Sequence, residues 1–281
     1  MLFDKTEKTK RPYWHVDAKW VCALLLALLL AVTLPVISLY RLTCKEPATK
    51  IMTYTFAGMT SPDGIDSESG LDEIKQRVLQ NGSETITTSG IKVTFTANDV
   101  NTLSPRELRL KAFGDFASRF YDQGAKGFAK SQGFDEAAAS KFEKDSAAIS
   151  VLTLSTHKFV GNIMIVIVIF DLLLAAGVVF FSHRFGRLVS LGTVLLLVGL
   201  PGVLLSIISS SHSTVAGTAR TEVVSSGMDM IGNLISYISP LVVPYFASTY
   251  LASLFSGVGI LLIATIGRIV YTIVQKYRKG V

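Results

Sequence analysis

Apolar positions along this chain gather into four long runs separated by stretches of very different character. Phe159 to Ser182 reads FVGNIMIVIVIFDLLLAAGVVFFS, with a single charge, Asp171, near its middle. At about 1.5 Å of rise per residue, such a run crosses the roughly 30 Å hydrocarbon core of a bilayer. Comparable runs occupy residues 21–40, 188–208 and 248–271. The pattern predicts an α-helical integral membrane protein with four transmembrane helices. Residues 41–158, between the first two, carry the polar patterning of a water-exposed segment. They are expected to form a small α+β extracytoplasmic domain inserted between helices 1 and 2.

Within that insert, Ile51 to Gly70 is rich in Gly, Ser, Thr and Asp and reads as irregular. Ser69 and Asp72 predict the start of a short helix, Leu71 to Gln80, which Asn81-Gly82 ends. Glu84–Thr88 and Ile91–Thr96 alternate as strands and predict a hairpin turning at Ser89-Gly90. Ser104-Pro105-Arg106-Glu107 is a capping box with proline at the first helical position. The helix it opens places Phe113, Phe116, Phe120 and Phe128 along one side, as core or as a candidate partner surface. Gly133 is expected to stop it and Asp135 to cap the next. From Asp135 to Val160 there is no Gly or Pro, so one unbroken helix is expected from the insert into the second span, with a kink or short unwound turn near Ser155–Lys158 as the alternative.

The first span carries Ala23, Ala27 and Ala31 at every fourth residue, a ridge of small side chains suited to close helix packing. Pro35 is expected to bend its last turns, and Gly192, Gly199 and Pro201-Gly202 to kink the third span. Residues 209–247 are expected to form an extracytoplasmic loop. In it Val224, Met228, Ile231, Ile235 and Ile238 trace one face of an amphipathic helix. Pro240 and Pro244 then break the chain before the last span, in this reading.

Charge fixes the expected orientation. The formal net charge is +6, with only 17% charged residues in 281. In residues 41–158 acidic and basic side chains balance. The excess sits beside the apolar runs: Lys5, Lys8, Lys10 and Arg11 in the basic tail 1–20, Arg184 and Arg187 in the short 183–187 loop, and Lys276, Arg278 and Lys279 in the tail 272–281. Lys and Arg concentrate on the cytoplasmic side of spans. The protein is therefore expected in the cell membrane, multi-pass, with both termini cytoplasmic, and this charge does not indicate nucleic-acid binding. Tyr13, Trp14 and Trp20 suit the interface before the first span. Cys22 and Cys44 are expected to be free thiols.

Candidate chemistry is sparse. Asp171 is the sharpest residue, because a charged carboxyl at mid-bilayer costs roughly 2.5–3.5 kcal/mol on insertion scales. It is expected to be protonated or bonded to hydroxyls such as Thr265 or Ser256, as a structural contact between helices or as part of a transport path. Asp63, Asp66, Glu68, Asp72 and Glu73 cluster, but Arg77 stands where an EF-hand needs its closing Glu. Asn81-Gly82-Ser83 matches a glycosylation acceptor at Asn81. His15, His157, His183 and His212 fall in four separate regions, and no hydrolase, zinc-protease, Walker or dinucleotide motif occurs. No metal or cofactor is expected.

The order of segments resembles in outline the permease-like subunit of the bacterial cell-division ABC complex. Both have a cytoplasmic N-terminus, an outer domain after the first span and three further spans. The likeness is one of topology and rests on no sequence motif. The expected function is non-enzymatic. The outer domain would bind or sense a partner and couple it to the membrane helices, with the alternative a transporter or channel subunit using Asp171. The lipid bilayer, a protein partner in or at the membrane and a homo-oligomeric state complete the expected contacts.

Overall fold

The computed structural model describes residues 14–61, 64–88, 91–182, 186–207 and 227–278. The basic N-terminal residues, the Ser89-Gly90 turn, Asp63, His183, Arg184, the 208–226 stretch and the final residues lie outside them. Four helices are long and apolar enough to cross a membrane: Asp17–Leu42, Leu154–Phe181, Gly186–Ile207 and Ile235–Arg278. The chain divides into two compact units. One, here the apolar unit, comprises Met1–Pro35, Ile165–Val203 and Ser248–Val281; the other, the polar unit, comprises Val36–Met164 and Leu204–Ala247.

In the apolar unit, α1 (Trp14–Leu42), α8 (Leu154–Phe181) and α9 (Gly186–Gly199) meet along narrow seams. Ala23 and Leu26 pack with Val178 and Val194, with Ala27, Leu30 and Leu174 beside them. Ala23 is buried and Ala27 half-buried, but Ala31 is exposed. The physical reason is helical pitch. Four residues advance about 400° at 3.6 per turn, so a four-residue ridge drifts off the seam by about 40° per step. Leu26 and Val178 share the seam, while many other large apolar side chains face outward, Leu172 at 65% exposure among them. Outward leucines and an inward small-residue seam are what a hydrocarbon solvent selects.

Helix α9 ends at Gly199, Leu200 forms a turn, and α10 resumes over residues 201–207. This stretch lies against α11 (Gly227–Arg278) with almost no side chain between the backbones. A Cβ placed on Gly199 would fall 2.5 Å from the Leu254 nitrogen, and one on Gly257 would fall 2.5 Å from the Leu196 nitrogen. Gly192 and Gly202 make similar approaches to Leu261 and Tyr250. The Ser253 hydroxyl donates to the Leu195 carbonyl at 3.0 Å. Pro240 and Pro244 lie inside α11 and do not break it, contrary to the expectation from sequence.

The polar unit is mainly helical. Its sheet is one two-stranded hairpin, β1 (Ser83–Thr88) with β2 (Ile91–Thr96), in the expected register of Thr88 opposite Ile91. The expected α+β character thus reduces to this hairpin among the described residues. The Ile51–Gly70 stretch is helical in its first part, where α2 covers Lys45–Met59, and the described residues from Thr60 to Gly70 are irregular as expected. Ala48, Ile51, Met52 and Thr55 are its buried face, at helical spacing. Its threonines bond back to the preceding turn, Thr53 to the Thr49 carbonyl at 2.7 Å and Thr55 to Ile51 at 2.8 Å. That satisfies side chains which otherwise compete with a helix.

Helix α3 (Asp72–Asn81) has Leu71 at its N-cap with no side-chain cap, so Ser69 does not supply the expected start signal, and it ends at Gly82 with φ 75° as expected. A capping box of Thr96 with Asp99 opens α4 (Ala97–Thr102), and the Ser104–Glu107 box opens α5 (Pro105–Ser131). Gly124, at φ 70° and ψ 168°, interrupts α5. Asp135 caps α6 (Glu136–Asp145), accepting from the Ala138 N–H at 2.7 Å.

The single helix expected from Asp135 into the second span does not form. It divides at Ser146 and again over residues 151–153, giving α6, the short α7 (Ala147–Ser150) and α8. The segment S-V-L-T-L-S-T supplies hydroxyls that bond local carbonyls. Thr153 and Thr156 both donate to the Ser150 carbonyl, at 2.9 and 3.1 Å, and relieve the helix of carrying on.

Candidate functional site

Sequence reasoning singled out four phenylalanines on α5, and the structure divides them. Phe120 and Phe128 are fully buried with Ala48 and Met52 of α2, so they belong to the core and not to a partner surface. Each such ring contributes about 1.5–3 kcal/mol by leaving water. Phe116 packs edge-on against Phe56 at 4.5 Å between centroids. Phe113 and Phe116 line a cavity of about 610 Å³ inside the polar unit. Helices α2, α3, α5, α6 and α7 and strand β2 all reach its wall, which is mostly apolar: Met59, Ile74, Phe95 and Leu108 are typical.

Two buried polar residues interrupt this apolar lining. Arg109, 8% exposed, lies on α5 next to Leu108. Its Nη1 donates to the carbonyl of Ile65 at 3.0 Å and to that of Ser67, with Gly64 at 3.4 Å, while Nη2 donates to the Ser69 carbonyl. No carboxylate pairs with it among the described residues. A guanidinium therefore sits in the wall, held among the described residues by backbone carbonyls. Ser61, 6% exposed, follows the C-terminus of α2, and its Oγ is buried without any hydrogen-bond partner. Its carbonyl accepts from the Gly64 N–H at 2.9 Å, so Ser61 belongs to the same loop that Arg109 grips. The exposed Asp145 carboxylate also borders the cavity.

Neither Arg109 nor Ser61 was singled out from the sequence. A signal existed for Arg109: positions 109, 113, 116 and 120 share one helical face, so a cation stands on the aromatic stripe. Ser61 carried none, since one serine in a Gly/Ser/Thr-rich stretch looks like any other.

Asp171 lies where the pattern of α8 puts it, facing inward at 8% exposure while Leu172 faces out. Its partner is not Thr265 or Ser256. The Thr33 hydroxyl of α1 donates to Asp171 Oδ2 at 2.6 Å, and Oδ1 is buried without a partner. Thr265 instead bonds back to the Leu261 carbonyl at 2.8 Å, and both it and Ser256 are exposed on α11. Asn81, at the end of α3, is exposed. The acidic cluster is dispersed into ion pairs, Glu68 with Lys75 at 3.2 Å and Glu73 with Arg77 at 3.2 Å. Among the described residues no group of three His, Cys, Asp or Glu is placed to hold a metal ion. Cys22 and Cys44 are free.

A second polar cluster ties α5 to the ends of α1 and α8 within the polar unit. The Tyr121 hydroxyl donates to the Thr43 carbonyl at 2.9 Å, and burial pushes that phenol's pKa up. Thr43 Oγ1 lies 3.1 Å from His157 Nδ1, and the His157 ring stacks on Tyr40 at 4.5 Å.

Charged pairs hold the surface of the unit. Glu136 lies between Lys126 and Lys130, at 2.6 and 2.5 Å, and these lysines, Lys126 first, lower its pKa to about 2. Lys111, at 2.6 Å, and the Thr96 N–H bring Asp99 to about 2. Comparison of the chain with protein-family models, with curated proteins and with solved structures finds no match.

Proposed function

We propose that this chain is a non-enzymatic, multi-pass protein of the cell membrane whose polar unit faces away from the cytoplasm and binds a small, mainly apolar ligand. The observation that carries this reading is the cavity. Its volume of about 610 Å³ falls within the ordinary range for small-molecule sites, and few polar groups interrupt its apolar wall. Lys and Arg beside the apolar runs support the orientation, with both termini in the cytoplasm. The Tyr121–Thr43–His157 contacts support a route by which occupancy of the cavity, lined in part by α5, reaches the start of α8. A partner in the membrane receives that signal in this proposal.

Titrating the full-length protein in amphipol with a dansyl-labelled acyl probe tests this. Saturable binding by the wild type, lost in Ala112→Trp, is expected. A non-saturable signal shared by both proteins refutes the reading.

A second reading, a transporter or channel subunit, draws on the unpartnered Oδ1 of Asp171. It requires Asp171→Asn to abolish ion- or proton-coupled flux in proteoliposomes. The binding reading expects that variant to retain wild-type probe affinity.

A further inference from the structure

Resting on the cavity as the ligand site, we infer that its occupant is a single acyl chain ending in a carboxylate, which Arg109 and Ser61 receive. The size of the cavity sets the first limit. At the ~30 Å³ that one water-sized group occupies, about 610 Å³ admits on the order of twenty non-hydrogen atoms. That suits one fatty chain with its headgroup. The wall sets the second limit. Phe113, Phe116, Leu108 and Met59 offer no donors or acceptors to a polar body, so the ligand's length is hydrocarbon.

The polar groups set the charge. Arg109 has five N–H donors. Its bonds to carbonyls engage Nη1 and Nη2, leaving Nε–H and one Nη2–H without partners among the described residues. Those carbonyls satisfy hydrogen bonds without neutralising the cation. A carboxylate supplies the missing negative charge and can accept from two guanidinium N–H groups at once. The Ser61 hydroxyl, buried and idle, is the third donor. Arg109 and Ser61 meet on one loop, through Gly64, so they serve the same end of the ligand. Asp145 repels a carboxylate from its own part of the rim and favours the headgroup at Arg109. An amine or other cation would meet Arg109 with like charge, and a neutral alcohol would leave that charge uncompensated.

The test uses full-length protein in amphipol, with palmitate and palmityl alcohol competing against the dansyl-labelled probe. Palmitate is expected to displace the probe at about tenfold lower concentration than the alcohol, the margin of charge-assisted bonding. Ser61→Ala weakens palmitate several-fold and leaves the alcohol unchanged. Arg109→Gln brings the two competitors level; should it fail to fold, Ser61→Ala still decides. Equal displacement by acid and alcohol in the wild type, with both lost in Ala112→Trp, overturns the carboxylate assignment and keeps the cavity. Displacement by neither, or binding indifferent to Ala112→Trp, overturns the cavity reading itself.

Discussion

Arg109 and Asp171 are both charge-bearing residues set inside the fold, and their neighbourhoods differ. Arg109 is held by loop carbonyls, whereas Asp171 has one hydroxyl, Thr33, on one of its two oxygens. Thr33→Val therefore leaves a buried carboxyl with no donor. Thermal unfolding in detergent is expected to show a loss of roughly 1–3 kcal/mol. Asp171→Asn keeps an acceptor for Thr33 and is expected to stay close to wild type. Glu136 and Asp99 predict an acid limit. Their folded pKa values, about 2, lie below ordinary values of 4.5 and 3.8. Their contribution is complete above the ordinary values and lost as pH falls toward the folded ones. Near-UV circular dichroism should show the polar unit weakening as pH drops from about 4.5 to about 2. At this scale Asp171 was legible in the sequence, since one acid in an apolar run stands out by its charge alone. Thr33 was not legible, because choosing among the hydroxyls of the spans requires knowing which helices touch.

Helices with strong local chemistry were readable, and those decided by packing were not. Ser104-Pro105-Arg106-Glu107 announces α5 on its own, through groups that satisfy free N–H donors. Ser104→Ala is expected to reduce stability by about 1 kcal/mol, measured by chemical denaturation. Helix α2 was hidden because its threonines suggest a loop until their back-bonding to Thr49 and Ile51 is seen. The hydroxyl-rich stretch from Ser146 to Thr156 misled in the opposite direction, since a lack of Gly and Pro is weaker evidence for continuity than hydroxyl competition is against it. Gly199 was visible only as a possible kink and Gly257 carried no signal, whereas their work is to let two backbones meet. Gly199→Val is expected to destabilise the purified protein by about 1–3 kcal/mol or prevent its folding. Gly259, with nothing within 4 Å of a Cβ, should accept alanine without loss in the same assay.

At the scale of the whole molecule, the four apolar helices were legible from length and composition alone, and they remain the firmest feature. The cavity was not, because it is assembled from residues as distant as Phe56 and Ile149. Protease added to intact cells is expected to cut within residues 41–158 and spare both chain ends; cleavage of the ends alone would reverse the proposed orientation. The proposed function rests on the cavity, and native mass spectrometry of the full chain released from its membrane tests it most directly. One small-molecule adduct per wild-type chain, absent from both Ala112→Trp and Ile149→Trp, is the expected spectrum. A wild-type chain that carries no adduct, or an adduct that survives both substitutions, would contradict it.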